Sequence, residues 1–113
     1  MSQDCLFCKI VAGELPSEEV YSDEHVYAFR DISPVAPSHV LVVPRRHVAS
    51  LKEVQEGDTD MLGRILLAAS NIAEQEELTN GYRVLTNTGP NAGQVVFHLH
   101  FHVLGGHKLK GIG

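Results

Sequence analysis

The sequence predicts an α+β fold: a five-stranded antiparallel sheet with one long and one short helix. Three observations carry this. From Phe97 to Leu104, histidines alternate strictly with bulky apolar residues. That period of two belongs to a strand with two unlike faces. From Thr59 to Leu78, Met61, Leu62, Ile65, Leu66, Ala69, Ile72 and Ala73 recur at helical spacing, which predicts one long amphipathic helix. The remaining apolar segments are short and separated by turn-like clusters, the pattern of consecutive antiparallel strands packed on a helix.

Taken in order, Lys9 to Glu14 reads as the short helix, ended by Gly13 or Pro16. Val20 and Tyr21 read as a brief strand, Ser22 to His25 as a turn, and Val26 to Asp31 as the second arm of a hairpin. Pro34 and Pro37 exclude regular structure from Ser33 to Ser38. His39 to Val43 is a clear strand that Pro44 stops. The long helix takes Asp58 as N-cap and Asn80-Gly81 as its stop. Glu74, Glu76 and Glu77 crowd its C-terminal turn, where the helix dipole disfavours anions. Gly81 to Asn87 is a fourth strand, and Thr88 to Gly93 forms the loop before the histidine strand, the fifth.

A length of 113 residues allows one domain. The net charge is −5, and Arg45-Arg46 is the only basic pair in sequence, which argues against non-specific nucleic-acid binding. No apolar run reaches membrane-spanning length. The start Met1-Ser2-Gln3-Asp4 lacks the basic and apolar regions of a signal peptide, so the expected location is the cytoplasm. Both cysteines lie in Cys5-Leu6-Phe7-Cys8. A disulfide does not suit a reducing compartment, and no thioredoxin-like βαβ pattern follows to support a redox pair. The better reading is half of a metal site needing two further ligands, which the seven histidines can supply.

In the histidine segment, Phe97, Leu99, Phe101 and Val103 are expected in the core, with His98, His100 and His102 side by side on the opposite face. Three imidazoles on one face suggest a metal site, yet at about 3.3 Å per residue His98 and His102 stand roughly 13 Å apart along the strand. One zinc takes two such neighbours more readily than three. A metal at one end and an anion along the rest is the arrangement that fits. Gly89 and Gly93 allow close backbone approach to a ligand, and N–H groups around Gln94, Val95 and Val96 can donate to an anion. Neutral imidazole is a nucleophile that can attack phosphorus, while its neighbours donate protons or hydrogen bonds.

From Gly93 to Gly106 the chain resembles the signature of the histidine triad (HIT) superfamily, and within it the Hint branch, with His-x-His-x-His followed by Gly-Gly. Asp31-Ile32-Ser33-Pro34-Val35-Ala36-Pro37-Ser38-His39 and Val43-Pro44-Arg45-Arg46-His47 resemble that branch in the same order. The resemblance runs from about Cys5 to Gly106, leaving a short tail from His107 to Gly113. It implies a HIT-like fold whose sheet continues across a homodimer, through the long helix and the strand Tyr82 to Thr86. It implies His100 as nucleophile, His102 at the phosphate and leaving group, His98 as support for His100, and His39 packed beside the triad. Asp31 resembles the carboxylate that binds ribose hydroxyls. Phe7, Ile10, Phe29 and Ile32 resemble the lining of a purine pocket, although strand apolars such as Phe29 and Ile32 also read as core. Asn87 resembles the amide near the ribose and phosphate, and Gly93, Gln94, Val95 and Val96 the phosphate loop. Many Hint proteins carry serine where this chain has Val95, so only the backbone N–H serves there. The tail has no tryptophan, which leaves open any selectivity that relatives place there.

The resemblance also brings Cys5, Cys8, His47 and His98 together as the four ligands of a structural zinc, as in some HIT proteins with this Cys-x-x-Cys. The activity it implies is hydrolysis of purine nucleoside phosphoramidates and of acyl or aminoacyl adenylates, through a nucleotidyl-histidine, releasing the monophosphate. Two other readings stand beside it: a dinucleoside polyphosphate hydrolase, and a non-catalytic, zinc-containing nucleotide-binding or interaction module.

Overall fold

The fold follows from a computed structural model that describes residues 4–111. Met1, Ser2 and Gln3 of the N-terminal reading, and Ile112 and Gly113 of the tail, lie outside the described residues. Helix α1 (Leu6–Val11) is followed by β1 (Glu19–Ser22), β2 (Val26–Arg30) and β3 (Ser38–Pro44). Helix α2 (Thr59–Gln75) then leads to β4 (Tyr82–Leu85) and β5 (Phe101–Gly105). The five strands form one antiparallel sheet in the order β1-β2-β3-β5-β4. The α+β reading therefore holds, including the number of strands and the two helices.

The two faces of the sheet are unlike because side chains alternate along its central strands. Val26, Ala28, Val40, Val42, Phe101 and Val103 meet Ile65, Ala68, Ala69, Ile72 and Ala73 of α2 in the main core. Tyr27, Phe29, Leu41 and Val43 face the other way and pack with Phe7 of α1. Strand β3 is buried along its whole length, as expected of a strand covered on both sides.

Several boundaries differ from expectation. Helix α1 begins before Lys9 because Cys5 caps it, its sulfur accepting from the Cys8 N–H at 3.4 Å. Leu66 turns out of the core and is half exposed, while Ala68 takes its place. Asp58 stands at the N-cap of α2 without giving it a side-chain cap. Its carboxylate accepts from the Gln55 N–H instead and pairs with Arg46. The helix ends at Gln75, short of Asn80-Gly81. Glu77 occupies the left-handed conformation (φ 61°) that glycine usually supplies, and the Leu78 N–H returns to Ala73 O at 3.0 Å. The acidic turn has a partner after all. Arg30 of β2 grips both Glu76 carboxylate oxygens at 2.8 Å, and the Ser38 hydroxyl donates to Oε1 at 3.0 Å.

The histidine strand is shorter than its pattern. Pairing with β3 starts at Val42↔Phe101, so residues 97–100 lie outside the ladder. There the Leu99 N–H reaches Val48 O at 2.6 Å, past the end of β3. Leu99 is buried as expected, but Phe97 is 52% exposed, because beyond the ladder no sheet face covers it.

Candidate active site

The stretch leading into β5, with the strand's second residue, places three imidazoles in three different settings. His98 is fully buried. Its Nε2 lies 2.9 Å from the carbonyl oxygen of Pro44 and therefore carries the proton, which leaves the Nδ1 lone pair free to bind. That Nδ1 lies 3.4 Å from Cys5 Sγ, 3.4 Å from Cys8 Sγ and 3.3 Å from His47 Nδ1. Cys8 Sγ and His47 Nδ1 are 3.3 Å apart, and all four ligand atoms fall within 4.8 Å of one another. A tetrahedral zinc with bonds of about 2.0–2.1 Å to nitrogen and about 2.3 Å to sulfur spaces its ligands about 3.3–3.8 Å apart. The quartet fits that metal, and the Pro44 carbonyl orients His98 as metal-bound histidines are usually oriented.

His100 donates from Nδ1 to the backbone carbonyl of His98 at 2.7 Å. Its Nε2 therefore bears the lone pair. That same His100 contributes its own carbonyl to the Thr86 hydroxyl at 2.7 Å, which ties β5 to the residue after β4. Burial pushes the His100 imidazole below its usual range, against the His98 carbonyl and the Asp31 carboxylate, which favour the charged form.

His102 has the opposite tautomer, set from a distance. The Val35 N–H can only donate, and it lies 3.1 Å from His39 Nδ1. Neutral His39 must then carry its proton on Nε2, which lies 2.9 Å from His102 Nδ1. His102 accepts there, so its own proton sits on Nε2. That nitrogen is buried and, among the described residues, has no hydrogen-bond partner. Burial lowers the His39 imidazole against the pull of Asp31 and brings His102 down to about 4, so both are neutral near pH 7. Asp31 Oδ2 lies 3.4 Å from His39 Nε2, and Oδ1 accepts from the Ser33 N–H at 2.8 Å. Asp31, His39 and His102 are close enough to suggest a second metal site, with ligand atoms within 4.8 Å. A proton already lies between the two rings, so the cluster is a hydrogen-bonded chain.

His100 and His102 line one end of a cavity of about 310 Å³. Phe7 and Ile10 of α1, Phe29 of β2 and Leu41 of β3 form its apolar part. Asp31, Ile32, Asn87, Gly93, Val95 and Val96 complete the lining. Phe29 serves core and cavity together, whereas Ile32 is 97% exposed and belongs to the rim, not the core. Gln94 does not line the cavity. Its Oε1 accepts from the Gly89 N–H at 2.8 Å, and its Nε2 donates to Ala49 O at 2.8 Å and Val96 O at 3.2 Å. Its backbone N–H is given to Gly89 O. Gln94 therefore shapes the loop from within, and Gly93 closes it in the left-handed conformation at φ 87°. Sequence reasoning missed Leu6 and Leu41 in the lining. Leu6 lies four residues before Ile10, one helical turn, and that spacing is the signal that marks it. The Pro44 carbonyl and the Thr86 hydroxyl carried no such signal.

This sheet order, with a row of differently tautomerised histidines at the mouth of an apolar cavity, defines a histidine triad protein. The profile of the HIT domain family matches residues 12–109, and the chain belongs to that family. The purine nucleoside phosphoramidase of Escherichia coli is 44% identical over 110 residues, covering 96% of this chain and 92% of its own. A 14 kDa zinc-binding protein of Zea mays is 44% identical over 107 residues, covering 93% of this chain and 84% of its own. A solved HIT family hydrolase from Clostridium thermocellum superposes with a TM-score of 0.94 at 47% identity, covering 97% of this chain and 96% of its own. Among the described residues, no helix is long and apolar enough to cross a membrane.

Proposed function

We propose that this chain, a hydrolase of the histidine triad type, cleaves purine nucleoside phosphoramidates and acyl or aminoacyl adenylates and releases the nucleoside monophosphate. The observation that carries this reading is the pair of opposite tautomers at one cavity end. His100 offers a lone pair at Nε2, and His102 offers a proton at Nε2. A displacement at phosphorus needs both a nucleophile and an acid for the leaving group. The E. coli phosphoramidase supports the substrate class.

The purine lies against Phe7, Ile10, Phe29 and Ile32, with Asp31 and Asn87 toward the ribose and α-phosphate. His100 Nε2 attacks the α-phosphorus. The bond to the amine or carboxylate breaks, and the departing atom takes the proton from His102 Nε2. Water then cleaves the phosphorus–nitrogen bond of the nucleotidyl-His100. The attacking water gives its hydroxyl to phosphorus and its proton back to His102 Nε2, while the hydrogen bond from His39 Nε2 keeps His102 Nδ1 as an acceptor. The N–H groups of Val95 and Val96 stabilise the charge on the phosphoryl oxygens, since Gln94 has already spent its own.

Cys5, Cys8, His47 and His98 hold a zinc that supplies a fixed cross-link between α1 and the histidine segment. With four protein ligands it keeps no position for substrate. The maize zinc-binding relative supports this site. The chain works as a single HIT domain in the reducing cytoplasm, consistent with Cys5 and Cys8 forming no disulfide. It pairs with a second copy through α2 and β4, whose outer edge has no strand beside it among the described residues.

Turnover of an adenosine phosphoramidate, measured beside a diadenosine polyphosphate, tests the assignment. Release of AMP from the phosphoramidate at the higher kcat/KM is the expected result. Preference for the polyphosphate supports the second hydrolase reading, and binding without turnover supports the non-catalytic one.

A further inference from the structure

One ion pair of the fold stands across the sheet from the proposed acid. Strand β2 ends at Arg30 and β3 begins at Ser38, and the loop between them carries Asp31, Ser33 and Val35. Side chains alternate along both strands, so Arg30 and Ser38 share the α2 face with Ala28 and Val40. Asp31 and His39, one position on, meet on the opposite face. On the α2 side, Glu76 at the C-terminal end of the helix joins both ends of the loop. Its carboxylate oxygens accept from Arg30 Nη1 and Nη2 at 2.8 Å each, and Oε1 also accepts from the Ser38 hydroxyl at 3.0 Å. The Arg30 guanidinium holds the Glu76 carboxyl below its usual range, so it is charged near pH 7. Ser38 is buried, while Ile32 and Val35 are 97% and 70% exposed, so the middle of the loop has little packing to hold it.

From this we infer that Glu76 is a positioning residue for the proton donor. By joining Arg30 to Ser38 it holds the loop at the span where the Val35 N–H meets His39 Nδ1, and so keeps the proton of His102 on Nε2. The inference rests on the proposed reaction, in which His102 Nε2 serves the leaving atom. The Val35 bond is 3.1 Å long and comes from a backbone donor that only the path of the loop brings there. Without it, neutral His39 can carry its proton on Nδ1 and accept at Nε2. His102 then donates from Nδ1, and a lone pair instead of a proton stands at its Nε2. An amine leaves phosphorus only with a proton, whereas a carboxylate, a much weaker base, leaves without one. Loss of the clamp therefore slows cleavage of a phosphoramidate more than cleavage of an acyl adenylate.

Single-turnover transfer of the nucleotide to the protein, from an adenosine alkylamine phosphoramidate and from an acyl adenylate, tests this. Glu76→Leu is expected to lower the phosphoramidate rate by about tenfold or more, and the acyl adenylate rate by no more than about twofold. Glu76→Gln, which keeps an oxygen for Arg30 and Ser38, should lie between wild type and Glu76→Leu. Nitrogen NMR of the histidine rings should show His102 protonated at Nε2 in the wild type and divided between both nitrogens in Glu76→Leu. Ile72→Val, in the core of α2, lowers stability without touching the loop and should leave the ratio of the two rates unchanged. If Glu76→Leu fails to fold, Ser38→Ala carries the same test, with the same direction and a smaller change of ratio. An unaltered rate ratio, an unaltered His102 tautomer, or the same change of ratio in Ile72→Val overturns the inference and leaves the phosphoramidase reading standing. Absence of turnover with both substrates in the wild type overturns that reading and the inference with it.

Discussion

The Nδ1 of His100 lies 2.7 Å from the carbonyl oxygen of His98, the residue whose own ring completes a quartet with Cys5, Cys8 and His47. One residue thus has its side chain in the metal site and its main chain on the proposed nucleophile. Phe7 spans the same gap from α1, with its ring 5.0 Å from that of His100 and 6.1 Å from that of His98.

His100→Ala is expected to lower turnover of an adenosine phosphoramidate by about three orders of magnitude or more while AMP binding persists. Rapid quenching of the wild type with a slow substrate should show a nucleotide attached to His100 by mass spectrometry. Substantial turnover in His100→Ala would remove His100 from the nucleophile's role.

Purified protein should contain one zinc per chain. Cys8→Ser should lose it and melt at a lower temperature, because His98 and Cys5 are then left converging without their ion. Equal zinc content in the wild type and in Cys8→Ser, measured by elemental analysis, would refute the quartet.

His102 and His39 make stability depend on pH, and the sign follows from their neutral burial. An unfolded histidine takes a proton near pH 6.5, whereas folded His102 resists until about 4. The unfolded state therefore binds more protons between these values, and stability falls as the pH drops through that window. Above about 6.5 neither state is charged and the effect vanishes. Urea midpoints between pH 7 and 5 should decline less in His102→Gln than in the wild type. Parallel declines would assign the loss to other groups.

Gln94→Ala removes three hydrogen bonds that brace the loop around Gly89 and Val96. Each is worth roughly 0.5–1.5 kcal/mol, and the Ala49 and Val96 carbonyls lose a partner. The expected result is a protein with the fold retained, a lower melting temperature and a raised KM for nucleotide substrates. An unchanged KM would show that the loop holds its shape without the amide.

A methyl group at Gly106 would meet Pro37 Cβ at 2.8 Å, and the backbone there has φ 105°. Gly106→Ala is therefore strained twice, by the clash and by the dihedral. A melting temperature lower by several degrees should follow, since the Pro37 loop leads directly into β3. A fully stable Gly106→Ala would mean that this loop yields.

Much of this was legible in the residues themselves. Alternation from Leu99 to Val103 predicted which side chains enter the core, because a buried sheet face demands period two and nothing distant alters that demand. The helical spacing of Ile65, Ala69, Ile72 and Ala73 predicted the face of α2 for the same local reason. The motifs around Asp31, His47 and the histidine row indicated which residues would gather, and the family they belong to.

What only the tertiary structure decided lies in contacts between segments far apart in the chain. Residues 97–100 lie beyond the last pair of the ladder, Val42↔Phe101, so Phe97 lies partly exposed while His98 is buried against the Pro44 carbonyl. The proton on His102 Nε2 is assigned by the Val35 N–H, 67 positions earlier, acting through His39. Gln94 turned inward because Gly89, Ala49 and Val96 offer it three partners that no spacing reveals. A sequence pattern states which face a side chain shares. Which nitrogen carries a proton depends on the single donor or acceptor that folding brings within 3 Å or so.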